Sequence, residues 1–162
     1  MAINPLKHQA PSKSHISTYP RRYQMRISAR VQDSQGQHQV SLATNDTVHS
    51  LDIPSKPSGF GSSANGGELL FLALATCYCN DIYREATKRG IEVVGVEVEV
   101  QGDFGAEGEP AQNVTYQAKV RAKASEADIR TLMQHTDQVA EIQNSLRVVT
   151  PVRLSQIDVQ TV

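Results

Sequence analysis

The sequence predicts an α+β fold with a largely antiparallel sheet, a long buried central helix and a second amphipathic helix. Three observations carry this. Two-residue alternation marks strands before and after residues 66–89, which read as one helix. A second stretch, from Ser125 to about Ala140, has the 3.6-residue period of an amphipathic helix. The resulting order is three strands, helix, two strands, helix, strand, and clustered strands favour α+β over an alternating parallel fold.

Residues 1–21 are polar, contain Pro5, Pro11 and Pro20, and show no apolar period. They read as an extended arm, expected to lie across a partner subunit because nothing in their composition orders them alone. Residues 22–162 read as a single domain. Tyr23, Met25, Ile27, Ala29 and Val31 alternate with polar residues, the signature of a half-buried strand. Asp33-Ser34-Gln35-Gly36 supplies a turn. Val40 and Leu42, then Val48, Leu51 and Ile53, form two further short strands.

The central helix is apolar on every side over residues 69–75, polar in its second half, and stopped by Gly90. A helix apolar all round must be buried all round, and one small domain has little mass to surround it, so this segment is expected at a subunit interface. Residues 91–100 and 114–122 are two strands, the first broken near Val94-Gly95. Glu97 and Glu99 are expected to face Lys119 and Arg121 across them. Ser125 caps the second helix, which carries Ile129, Leu132, Met133 and Thr136. Val152, Leu154, Ile157 and Val159 form a last strand with a bulge at Ser155-Gln156.

Sixteen Lys and Arg against seventeen Asp and Glu leave a net charge of −1, so a nucleic-acid partner has no electrostatic support. The strongly apolar run at residues 69–75 is far short of the roughly 20 residues a membrane span needs. The first residues lack the apolar stretch of a secretion signal, and two cysteines only two apart make no disulfide framework. A cytoplasmic protein is expected, with no cofactor and no metal: Cys77, Cys79 and the five histidines show no metal-ligand spacing, and the histidines read as surface or solvated strand positions.

Cys77 and Cys79 are the residues able to carry nucleophilic or redox chemistry. Two apart on a helix, they point about 200° from each other, so they act as separate sites. Buried apolar thiols are the commonest free cysteines, and an apolar surround raises a thiol pKa. Asp81, one turn on along the same face, pushes it the same way. Arg84, two turns on, needs help from elsewhere in the fold to reach the thiol.

Asn65-Gly-Gly-Glu-Leu-Leu-Phe-Leu-Ala-Leu-Ala-Thr-Cys77, followed by the Val-rich strand from Ile91, resembles the OsmC/Ohr family of osmotically inducible and organic hydroperoxide resistance proteins. Val139-Ala-Glu-Ile-Gln-Asn-Ser-Leu146, with Val152-Arg-Leu154 after it, is similar to the family's second motif, Cys-Pro-Val-Ser-Asn-Thr-Leu before the last strand. The resemblance runs from about Tyr23 to Val159. It implies an intertwined homodimer and a thiol peroxidase cycle, with Cys77 at the peroxide-reacting position. The family's resolving cysteine falls on Ala140, and its active-site Glu falls on Gly67, beside Glu68. Its Arg belongs near the first hairpin, where Gln32 to His38 hold none and Arg30 is nearby. The resemblance therefore implies a one-cysteine peroxidase acting in oxidative-stress defence, with an external thiol as reductant and Glu68, Arg30 and Cys79 as auxiliary candidates. The other reading is a non-catalytic protein binding a small apolar or sulfur-containing ligand in the dimer cleft.

Overall fold

The computed structural model describes residues 25–34, 37–148 and 150–156. The arm predicted over residues 1–21, and Ile157 and Val159 of the predicted last strand, lie outside the described residues. The chain divides into two compact units, the first ending at Gly61 and the second beginning at Ser62.

The first unit is a three-stranded antiparallel sheet, β1 (Ile27–Ser34), β2 (Gln37–Thr44) and β3 (Thr47–Ser50), in the order β1-β2-β3. Ala29 pairs with Leu42 and Val31 with Val40, so the alternation predicted for β1 puts Ile27, Ala29 and Val31 on one face. Asn45, with φ of 53°, makes the tight turn between β2 and β3. Leu51 and Ile53, expected in the third strand, follow its end. His38 departs from its expected solvated position. Its side chain is buried, and Nδ1 lies 2.9 Å from Asp33 Oδ1 across the hairpin.

In the second unit α1 (Gly66–Lys88) leads into a two-stranded antiparallel sheet, β4 (Glu92–Phe104) and β5 (Ala111–Lys123), then α2 (Glu126–Val139) and α3 (Glu141–Arg147). The start of α1 is fixed by a reciprocal cap. Asn65 Oδ1 accepts from the Glu68 N–H at 3.0 Å, and Glu68 Oε2 accepts from the Asn65 N–H at 2.7 Å. Gly90, with φ of 66°, follows the last turn as predicted. The irregularity expected near Gly95 is a register shift between Val93 and Gly95, which pairs with Arg121. A Cβ there would lie 2.7 Å from the Arg121 guanidinium. The shifts also set the facing pairs. Glu97 meets Lys119 as expected, but Glu99 meets Gln117, whose amide donates to it at 2.6 Å.

The core forms where one face of α1 meets the sheet, α2 and the start of α3. Tyr78, Ile82 and Ala86, on one α1 stripe, cluster with Leu132 and Ala140, and Val96, Val98, Tyr116 and Ala118 close the cluster from the sheet. Ile82 is 0% exposed, and burying a side chain of that size contributes about 1.5–3 kcal/mol. Polar ties fix the helices: the Tyr78 hydroxyl donates to the Met133 carbonyl at 2.8 Å, and Tyr116 donates to Asp137.

The apolar first half of α1 is not enclosed by this chain alone, as its all-round apolarity predicts: Leu72 remains 54% exposed. Two expectations need correction. The segment 140–147 forms a helix of its own, because the backbone of Ala140 (φ −70°, ψ 109°) ends α2 and begins α3. Residues 151–156 form no strand. Val152 is 94% exposed, and no described strand lies beside it to take its backbone hydrogen bonds. No helix among the described residues is long and apolar enough to cross a membrane.

Candidate functional site

Cys77 lies on α1 one residue before the core residue Tyr78, and its side chain packs at the edge of the core cluster that includes Ala140. Asp81 follows four residues later, and Arg84 three after that, so all three share one helix face. The second element of the site is α3. Gln143 Nε2 donates to the Leu74 carbonyl at 2.9 Å, tying α3 to the middle of α1 and bringing Glu141 over the thiol.

The polar geometry is a closed network. The Cys77 thiol donates to Asp81 Oδ2 at 3.4 Å, and Glu141 Oε2 lies 4.0 Å from the sulfur. Arg84 Nη1 reaches Asp81 Oδ1 at 2.8 Å and Glu141 Oε1 at 3.1 Å, while its Nε bonds Glu85 Oε1 at 3.0 Å. Lys88 joins Glu85 at 2.7 Å, and His135 Nε2 of α2 lies 3.3 Å from the other Glu85 oxygen. Asp81 and Glu85 are buried, whereas Arg84 and Glu141 face solvent. The site is thus open on the α3 side and closed beneath.

Its electrostatics disfavour a resting thiolate. Burial pushes the Cys77 thiol pKa up, and the nearby Asp81 and Glu141 charges add to this against a hydrogen bond from the Ile142 backbone N–H. Burial likewise raises the Asp81 carboxyl, with Glu141 adding to it and Cys77 and Arg84 opposing. Glu85 is the contrast: hydrogen bonds from Lys88 and then Arg84 hold it down to about 2. Cys77, Asp81 and Glu141 each bring one ligand atom within 4.8 Å of the others, a spacing open to a metal ion. Arg84 also bridges the two carboxylates.

Of the sequence-predicted site residues, Cys77 is the one placed here. Cys79 lies on another side of α1, as the 200° separation requires. The Glu68 carboxylate is engaged at the helix N-cap, nine residues and about 13 Å of helix from Cys77. Gly67 is small for a local reason. The Phe104 ring, stacked near Phe71 at 5.8 Å between centroids, would lie 2.7 Å from a Cβ at that position. Arg30 belongs to the first unit, where it lines a polar cavity of about 430 Å³ with Gln32, His38, Ser41 and Asp52. Ala140 is fully buried and carries no sulfur to face the thiol. Arg84 is bonded to Asp81, Glu85 and Glu141 and not to the sulfur itself. Glu141 itself escaped sequence reasoning, although it stands next to Ala140 where the family motif has Pro.

The fold and site define an α+β protein whose long helix carries a thiol, Cys77, ringed by carboxylates and one arginine. The OsmC-like protein family model matches residues 59–155, and the chain belongs to that family. Among solved structures it is similar to an OsmC-like protein from Mycoplasma pneumoniae, with 17% identity, TM-score 0.55, and coverage of 79% of this chain and 90% of that one. It is also similar to an OsmC-like protein of unknown function from Vibrio cholerae, with 11% identity, TM-score 0.50, and coverage of 75% and 92%. An OsmC-like hydroperoxide resistance protein from Jannaschia sp. shows 13% identity, TM-score 0.50, and coverage of 83% and 92%. At these identities the likeness is one of fold. No curated protein matches the sequence.

Because the folded-state pKa of Glu85 lies near 2 against an ordinary 4.5, its ion pairs stabilise the fold above pH 4.5 and cease to do so as pH falls through 2. Asp81, raised, works in the opposite sense, since its charge burdens the fold once pH rises through its folded pKa. Thermal melts across acidic pH should therefore show a loss that Glu85→Gln flattens. Superimposable acid limbs in the two proteins would contradict this assignment.

Proposed function

We propose that this protein reduces a hydroperoxide at Cys77, forming a sulfenic acid that an external thiol returns to the reduced state. The observation that carries this reading is the Cys77 thiol hydrogen-bonded to buried Asp81, with Arg84 held beside it by two carboxylates. A nucleophile, a proton acceptor and a cation are together at one helix face, open to solvent on the Glu141 side. Family membership supports the same chemistry, as does the hydroperoxide resistance named for the Jannaschia relative. With alanine at position 140 the oxidised sulfur meets no second cysteine there, so the reductant must come from outside. A reducing, cytoplasmic setting suits such a cycle.

We further infer a homodimer. In the first unit, Ile27 and Val31 are 65% and 61% exposed on one sheet face, and in the second Leu72 stands exposed on α1. Apolar surface of this kind on two elements is suited to a second copy of the chain. Sedimentation equilibrium should return a dimer, and a monomer would overturn the inference.

One observation favours a second reading. A cavity of about 660 Å³ in the second unit, lined by Leu70, Leu74, Val114, Tyr116, Gln143 and Leu146 among others, is of a size and apolarity that suit a small ligand. On that reading the protein binds without turnover.

The deciding experiment follows the intact mass of the reduced protein during reaction with cumene hydroperoxide and with hydrogen peroxide, beside Cys77→Ser. Sulfenic acid should form far faster than on free cysteine at the same pH and vanish in the variant. A rate equal to that of free cysteine would leave the binding reading standing alone.

A further inference from the structure

Resting on that peroxide-reducing reading, we propose that Asp81 is the catalytic acid–base residue: it takes the Cys77 thiol proton as the sulfur attacks, and delivers it to the departing alcohol. The thiol points its proton at Asp81 Oδ2, 3.4 Å away, and the other oxygen of that carboxylate is fixed by Arg84 at 2.8 Å. The carboxylate is thus held from both ends, with Oδ2 accepting from the thiol and Glu141 close beside it. Asp81 is buried, which limits its direct contact with bulk water.

The groups facing this pair make the arrangement a proton donor–acceptor couple instead of a preformed thiolate. From α1 they are Arg84 and, behind it, Glu85. From α3 they are Glu141 and the Ile142 N–H. From α2, His135 reaches the cluster through Glu85. Two carboxylates stand within 4.0 Å of the sulfur, while the one arginine is engaged by carboxylate oxygens and does not hydrogen-bond the sulfur. A negative sulfur is poorly tolerated there, and a carboxylate with a raised affinity for protons stands ready to receive one.

The step balances within the pair and one hydroperoxide. The sulfur lone pair attacks the terminal peroxide oxygen, the S–O bond forms and the O–O bond breaks. Sulfur is oxidised by two electrons, and the electron pair of the broken bond leaves on the alkoxide. The proton passed from Sγ to Asp81 Oδ2 then moves to that alkoxide. The products are Cys77 sulfenic acid, an alcohol (water from hydrogen peroxide), and the regenerated carboxylate.

The test uses two reactions of the same sulfur in the full-length protein. Alkylation by iodoacetamide needs the thiolate alone, whereas peroxide reduction also needs the relayed proton. Asp81→Asn, made in a Cys79→Ser background, removes the carboxylate while keeping its shape. Iodoacetamide should then react severalfold faster at neutral pH, because a repelling charge is gone, while cumene hydroperoxide reduction falls about a hundredfold. Asp81→Glu should restore part of the peroxide rate. The Cys79→Ser parent supplies a measurement that needs no change at Asp81: its peroxide rate should level off on the acid side of neutrality, its alkylation rate only well above it. If both reactions change in the same direction in Asp81→Asn, or both follow one pH curve in the parent, Asp81 is not the proton carrier, and peroxide reduction at Cys77 stands without it. A parent rate no greater than free cysteine overturns the peroxide reading and the role of Asp81 together.

Discussion

Arg84 is the cation on which the polar side of the second unit depends. It is bonded to Asp81 and Glu85 on its own helix and to Glu141 on α3. Without it, two carboxylates and a thiol of α1 and the Glu141 carboxylate of α3 would crowd together, with Lys88 bonded to Glu85 alone. An exposed ion pair contributes little, about 0–1 kcal/mol, but Asp81 and Glu85 are buried, and removing the partner of a buried charge is far more damaging. The clamp also has a direction. By drawing Asp81 Oδ1 to itself, Arg84 leaves Asp81 Oδ2 turned toward the Cys77 sulfur, while Glu141 Oε2 lies between the guanidinium and the thiol.

That direction separates this site from one that relies on a thiolate prepared in advance. A peroxide-reacting cysteine is ordinarily made nucleophilic by cations close to sulfur. Here Arg84 is bonded to carboxylates that stand between it and the sulfur, and burial together with those carboxylates strengthens the thiol's hold on its proton. The departures at Gly67 and Ala140 are consistent with a site rebuilt around other residues. Phe104 occupies the space beside Gly67, Ala140 is sealed in the core, and the turn from α2 into α3 places Glu141 where it meets Arg84.

Much of this was legible in the sequence because it follows from local rules. The ends of α1 follow from Asn65, Glu68 and Gly90, and the kink in β4 from Gly95. The exposed apolar Leu72 follows from a helix too apolar for its own domain. What escaped depends on long-range geometry. No glycine or proline announces the break at Ala140, so α3 and Glu141 were hidden in a continuous polar stretch. The facing of Glu99 and Gln117 depends on how many residues each bulge absorbs, which alternation does not reveal. The alternation of Val152 and Leu154 shows that a segment can pair, but not that a partner strand stands beside it. His38 looked solvated because its burial goes with a hydrogen bond to Asp33 on the neighbouring strand.

The most direct test of this account is the titration of the Cys77 thiol by its ultraviolet thiolate absorbance, in Cys79→Ser and in the same protein carrying Glu141→Gln. The account predicts a midpoint above that of free cysteine, about 8.5, and a downward move when the Glu141 charge is removed. A midpoint below neutrality in the parent protein would show a thiolate already stabilised by the fold, and would contradict both the electrostatic reading of the site and the role given to Asp81.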